Sequence, residues 1–331
     1  MYVFGDSLAD VGNNDYLDFT LIKADFPHNG MDYPGHMATG RFSNGKNAAD
    51  FIAEKLGLPS SPPYLSIIYK SNKTDAFLQG VSFASGGAGV LDSTNKDQCV
   101  TFSKQIDCYS SVYTTLVQQL GVVKTHNHLS KSIFSFIIGS NDIFSYSKSK
   151  PSSKTKVTPQ QFVDSLVSTL QTQLQILYNL GARKFVFIGA GPTGCCPSQR
   201  AKSKTEDCNP ETNSLSVQYN NAASNLLQEM KSNFSDMSYS FFDTFNALLQ
   251  YIRNPETYGF TEVKAACCGL GKMKAKVACL PISSYCPNRQ THIYWDSNHP
   301  TEATVSLLTT TIIDGSHPYI FPVNLRQLSA L

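Results

Sequence analysis

Four widely separated blocks of the 331-residue chain carry side chains suited to nucleophilic chemistry. They are Gly5-Asp6-Ser7-Leu8, the glycine-rich run at residues 84–89, Gly139-Ser140-Asn141-Asp142, and Trp295-Asp296-Ser297-Asn298-His299-Pro300. Each alone has an ordinary reading: Ser7 as a turn or helix-cap serine, Asn141 and Asp296 as turn residues, His299 as a surface histidine. Together they supply the parts of an acyl-transfer centre, with Ser7 as nucleophile, His299 as general base, Asp296 orienting the imidazole, and Gly87 and Asn141 donating to an oxyanion. A serine hydroxyl is a feeble nucleophile near neutral pH. Imidazole, with an ordinary pKa of about 6.5, can accept its proton, so the chemistry requires that pairing and predicts activity falling below about pH 6 as His299 protonates.

Such residues need a scaffold that gathers them. Short β-branched and aromatic runs at residues 2–4, 81–84, 133–138, 184–188 and 239–242, each ending in or followed by Gly, Ala or Asp, predict five strands. Between them lie helical stretches. In residues 159–180, Phe162, Leu166, Leu170, Leu174, Leu177 and Leu180 recur at steps of three and four, with Thr158-Pro159 opening the helix and Gly181 ending it. Near-continuous apolar strands joined by long crossovers predict a parallel sheet covered on both faces, a three-layer α/β/α domain spanning residues 1–331. Ligands of such sheets bind at the carboxyl ends of the strands, where the first three blocks lie. Residues 30–63 and 257–289 read as insertions that wall the cleft, residues 145–158 as a surface loop, residues 301–314 as the last helix, and the tail after Gly315 as a surface wrap.

Composition narrows the partners. Lys plus Arg number 27 against 25 Asp plus Glu, a formal charge of +2, and the densest basic cluster is Lys272-Met273-Lys274-Ala275-Lys276. That is too sparse to track a phosphate backbone, so no nucleic-acid partner is expected. No apolar run reaches the roughly 18 residues of a membrane span, so no stable membrane insertion is expected either. Tyr2 already reads as strand, which suggests that a leader peptide precedes the numbering. Nine cysteines without C-x-x-C spacing point to disulfides and not to a metal. With the sequons Asn72-Lys73-Thr74 and Asn233-Phe234-Ser235 they favour a secreted or secretory-pathway protein. Up to four disulfides are possible, the near pairs being Cys99 with Cys108, Cys195 or Cys196 with Cys208, and Cys279 with Cys286. Gly189-Ala190-Gly191-Pro192-Thr193-Gly194 matches a dinucleotide fingerprint but continues into a Pro- and Cys-rich loop instead of a helix, so no cofactor is expected. His126-Asn127-His128 lacks a ligating partner in sequence and reads as solvated.

The motifs carry a resemblance. Phe4-Gly5-Asp6-Ser7-Leu8-Ala9-Asp10 with Gly12-Asn13-Asn14, Thr39-Gly40-Arg41-Phe42-Ser43-Asn44-Gly45, residues 84–89, Gly139 with Asn141 and Asp142, Ala266-Cys267-Cys268-Gly269 and residues 295–302 follow in the order found in the plant GDSL esterase/lipase family of the SGNH hydrolase superfamily, which the chain resembles along its whole length. Ser82 departs from the family's usual Asn. The resemblance implies a flavodoxin-like sheet and assigns Ser7 as nucleophile, Asp296 and His299 as its partners, and Ser7, Gly87 and Asn141 as oxyanion donors. It also implies a small-molecule ester substrate, a lipid or specialised-metabolite ester, and hydrolysis through an acyl-Ser7 intermediate. The alternatives are an acyltransferase passing the same acyl group to an alcohol, and a catalytically silent binding protein on the same fold.

Overall fold

A computed structural model describes residues 1–148 and 157–331. Its strands are β1 (Tyr2–Gly5), β2 (Ile133–Ile137), β3 (Lys184–Ile188), β4 (Ser238–Phe242), β5 (Glu262–Ala266), β6 (His292–Tyr294) and β7 (Ile320–Pro322). Its helices are α1 (Ala48–Lys55), α2 (Lys73–Gln79), α3 (Phe102–Leu120), α4 (Val122–Lys131), α5 (Ser140–Lys148), α6 (Pro159–Asn179), α7 (Pro197–Arg200), α8 (Pro210–Asn233), α9 (Thr244–Arg253), α10 (Glu302–Asp314) and α11 (Leu325–Ala330). β1, β2, β3 and β4 pair in parallel in that spatial order, β7 closes the edge antiparallel to β4, and β5 and β6 form a separate small parallel pair.

The expected all-parallel five-stranded sheet is therefore corrected at two places. Residues 81–84 make only bridges of Ser82 to Val3 and Pro63. The segment still lies along β1, with Val3 N donating to Val81 O at 2.9 Å and Phe83 N to Val3 O at 2.7 Å. The five predicted segments thus follow the spatial order second, first, third, fourth, fifth, the flavodoxin arrangement. The tail after Gly315 does not wrap the surface. It supplies the antiparallel edge β7 and then α11, whose Leu325 and Leu328 are fully buried.

Strand alternation divides the interior into two layers. On one face Phe4, Phe134, Phe136, Phe185, Phe187 and Phe241 form an aromatic row under α3, α6 and α8, with Phe4–Phe136, Phe136–Phe185 and Phe187–Phe241 centroids 5.3, 5.8 and 5.9 Å apart. On the other, Val3, Val186 and Ile188 pack against α1, α9, α10 and α11. α6 opens on a capping box in which Thr158 and Gln161 satisfy each other's backbone N–H groups. Of the predicted loop at 145–158, residues 145–148 continue α5, and residues 149–156 lie outside the described residues.

Three disulfides form: Cys195–Cys208, Cys267–Cys286 and Cys268–Cys279. The expected Cys99–Cys108 and Cys279–Cys286 pairs do not. Cys99 and Cys108 are both free, because α3 begins at Phe102 and its rise of about 9 Å up to Cys108 carries the second thiol out of reach. His126 and His128 are not solvated either. Both are half-buried on α4, with Nε2 atoms 2.9 Å from the Tyr113 hydroxyl and 3.3 Å from the Tyr2 hydroxyl.

Candidate active site

β1 ends on Gly5, whose φ of 150° lets the backbone pass so close to β2 that a Cβ would stand 2.2 Å from Ile137 O. Gln105 from α3 holds the peptide groups on either side of the Gly5 Cα, accepting from Gly5 N at 2.9 Å and donating to Gly5 O at 2.8 Å. Asp6 N continues the pairing to Ile137 O, and the Asp6 carboxylate accepts from Leu8 N at 2.9 Å. Ser7 is thus fixed on a tight turn at the switch point, where neighbouring segments leave β1 in opposite directions. Burial pushes the Asp6 carboxyl up to about 7.

Residues 292 positions apart in sequence meet there. Ser7 Oγ lies 2.7 Å from His299 Nε2, and His299 Nδ1 lies 2.8 Å from each Asp296 oxygen. Asp296 also accepts from the backbone N–H groups of Asn298 and His299, both at 2.9 Å. Burial works against both charges, but their mutual attraction and hydrogen bonds outweigh it, so Asp296 stays below the usual carboxylate range and His299 above the usual imidazole value.

The glycine-rich run is held by the first block. Asp10 accepts from Gly12 N, Asn13 N and Gly86 N at 2.8, 2.7 and 2.9 Å. Asn13 donates to Ser82 O and Ala84 O, and Asn14 donates to Gly86 O while accepting from the Ser85 hydroxyl. Gly86 N–H is thereby used. The N–H groups of Ser7 and Gly87 donate to no acceptor among the described residues. Gly87 has a φ of 89°, and a Cβ there would meet Ile22 at 2.6 Å. Asn141 Nδ2 spends one hydrogen on Ala88 O at 3.0 Å, leaving its second. Ser7, Gly87, Asn141 and His299 all line one cleft of about 300 Å³.

Sequence reasoning gave no roles to several residues that hold this geometry. Arg41 makes a bidentate ion pair with buried Asp50, at 2.6 and 2.7 Å, while Asn47 caps α1 and donates to Asp10 O at 2.8 Å. Asn44 accepts from Glu302 N at 2.9 Å, which ties the 39–45 block to the start of α10 just after His299. Phe42 covers the imidazole with its ring centroid 5.2 Å away. The segment once resembling a dinucleotide loop instead lines the cleft through Gly191, Pro192 and Thr193. Beyond it, Ser198 N donates to Ser297 O at 2.9 Å, bracing the Asp296–His299 turn.

Residues 30–63 line the cleft as expected, through Phe42, Ser43, Asn47 and Ala48, but residues 257–289 contribute nothing to it. Their cysteines enclose Trp295 in a small core of their own. Cys267 N and Cys268 N donate to Tyr294 O and Trp295 O at 2.9 and 2.6 Å, and Trp295 Nε1 donates to Asn29 Oδ1 at 3.0 Å. This segment clamps the chain just ahead of Asp296 from behind. No cluster of potential metal ligands occurs among the described residues, and no described helix is long and apolar enough to cross a membrane.

Comparison with known proteins places these features in a wider group. The profile of the family described as GDSL-like Lipase/Acylhydrolase matches residues 1–310. The chain is 41% identical to the GDSL esterase/lipase At5g55050 of Arabidopsis thaliana, over 99% of this chain and 89% of that protein. It is 39% identical to the GDSL esterase/lipase At5g37690 of the same plant, over 96% and 90%.

Proposed function

Because the chain belongs to the GDSL-like lipase/acylhydrolase family and is accordingly a carboxylic ester hydrolase, we propose that Ser7, His299 and Asp296 form its catalytic triad, acting through an acyl-Ser7 intermediate. The observation that carries this reading is the unbroken hydrogen-bonded line from Ser7 Oγ through the imidazole to Asp296. In the proposed reaction His299 takes the Ser7 proton as Oγ attacks the ester carbon. Asp296 keeps Nδ1 protonated and Nε2 free to accept, and stabilises the imidazolium that forms. The negative oxygen of the tetrahedral intermediate accepts from the N–H groups of Ser7 and Gly87 and from Asn141 Nδ2. Their unused hydrogens support that assignment, and the engagement of Gly86 N–H by Asp10 favours Gly87 over Gly86. His299 then protonates the departing alcohol, and a water it deprotonates releases the acid.

We further infer that the whole chain works as one hydrolase unit, since both core layers draw on residues from its start to its end. Three disulfides, together with exposed sequon asparagines Asn72 and Asn233, support a secretory route with glycosylation. The relatives are named for hydrolysis, and no observation favours transfer to an alcohol.

Steady-state turnover of an activated ester by Ser7→Ala tests the reading. The expected loss is about 10⁴- to 10⁶-fold with an unchanged melting transition. Retained turnover in a folded variant would remove Ser7 from the reaction.

A further inference from the structure

Asp142 closes the block that carries Asn141, yet the proposed reaction gives it nothing to do. It is 1% exposed in the first turn of α5, next to the side-chain amide assigned to the oxyanion. A carboxylate that deep is costly unless its oxygens are hydrogen-bonded. Here Oδ2 accepts from Val90 N at 2.7 Å, while Oδ1 accepts from Leu91 N at 3.1 Å and from the Thr94 hydroxyl at 2.7 Å. All three donors belong to one loop, the stretch that follows Gly87.

That loop closes on Gly87 itself. Asn95 Nδ2 donates to Gly87 O at 2.8 Å from a left-handed backbone with a φ of 48°, a conformation that Asn tolerates better than most residues. Between the two ends, Asn141 Nδ2 donates to Ala88 O at 3.0 Å, and a side chain at Gly89 would collide with the Asp142 carboxylate. Residues 87–95 thus wrap round Asp142 as their common acceptor. The arrangement answers a specific need. Gly87 has no side chain to anchor it and its N–H donates to no acceptor among the described residues, so its peptide can turn unless its neighbours fix it. Gly87 and Asn141 come from separate elements, and two donors converge on one oxygen only if their spacing is held.

We propose that Asp142 is a positioning residue for the oxyanion hole, fastening the loop of residues 87–95 to the start of α5 so that Gly87 N–H and Asn141 Nδ2 point at one oxygen, with Asn95 as the loop's outer latch. This rests on Ser7 being the nucleophile. The test pairs steady-state kinetics on 4-nitrophenyl butyrate with inhibition by butylboronic acid. Ser7 Oγ adds to the boron of that inhibitor as His299 takes the hydroxyl proton, no group leaves, and the tetrahedral adduct sets a boron-bound oxygen in the oxyanion position. In Asp142→Asn, whose amide would face one of the N–H donors, kcat is expected to fall about 10- to 100-fold and the boronate inhibition constant to rise by a similar factor, while KM stays within about twofold. Asn95→Gly keeps the left-handed backbone and removes only the latch, and Thr94→Val removes one donor to the carboxylate. Both should show the same split at about 3- to 10-fold, which keeps the proposal testable if Asp142→Asn does not fold. Variants folded by their melting transitions that retain kcat and boronate affinity, or that lose stability or raise KM without weakening boronate binding, would overturn it. Where the wild type is inhibited and Ser7→Ala is not, such a result counts against the positioning role alone. A wild-type protein that neither cleaves the ester nor binds the boronate overturns both this proposal and the reading of the site.

Discussion

His299 stands between opposed influences. Burial favours its neutral form, whereas Asp296, held below the usual carboxylate range, favours the charged one, and the second prevails. A base must be neutral to accept the Ser7 proton, so a raised imidazole value moves the acid limb of activity upward. The sequence alone suggested a fall below about pH 6. The geometry places the midpoint of kcat/KM above 6.5, and Asp296→Asn should shift it to lower pH while cutting kcat by about 10⁴-fold through loss of the productive tautomer. A pH-rate profile with an activated ester checks both, and a profile flat down to pH 5 would be incompatible with His299 as base. Residue types at the four blocks were legible in sequence because nucleophile, base and donor chemistry depends on identity. Supports such as Asp10 were not, since a buried acceptor of three backbone N–H groups looks in sequence like any turn aspartate.

Elements were readable where their signal is local. β2, β3 and β4 lie within a residue of expectation, and α6 closes one residue short of it, because apolar periodicity and caps act over a few residues. β7 escaped notice: three residues ending in Pro322 form an edge strand only because β4 is there to pair with. Cysteine pairing escaped for a related reason. The adjacent Cys267 and Cys268 reach different partners, Cys286 and Cys279, a choice made by the clamp's three-dimensional path. At this scale Asp10→Asn is the informative change. It keeps one carbonyl oxygen for Gly12 and Asn13 but turns an amide toward Gly86 N–H, releasing the glycine-rich run that carries Gly87. We expect kcat to fall about 10- to 100-fold with a smaller change in KM, and stability to drop by about 1–3 kcal/mol, measured by steady-state kinetics and denaturant unfolding. Unchanged kcat would mean that the run keeps its position without this anchor.

Across the whole molecule, the same burial that builds the site sets its response to pH. Burial pushes Asp6 up to about 7 and Asp10 and Asp142 up to about 6, against an ordinary 3.8, and His299 is raised as well. The folded state therefore binds more protons than the unfolded chain between about pH 4 and 7, and stability falls as pH rises through that window. Asp50 and Asp296 run the other way: despite burial, their Arg41 and His299 partners hold them low, so their contribution disappears as pH drops below about 4. Thermal melting should thus show greatest stability near pH 4–5 and a decline toward pH 8, opposite in trend to activity. A melting temperature that climbs steadily from pH 5 to 8 would refute this linkage. Catalysis by this triad depends most on the fold delivering Ser7 and His299, at opposite ends of the chain, to a single reacting centre. Labelling with an alkyl phosphonate ester, followed by peptide mass spectrometry, tests that most directly. The prediction is a single phosphonyl adduct on the peptide containing Ser7, formed by the wild type and reduced by orders of magnitude in His299→Ala. An adduct on another serine, or one formed equally fast without His299, would contradict it.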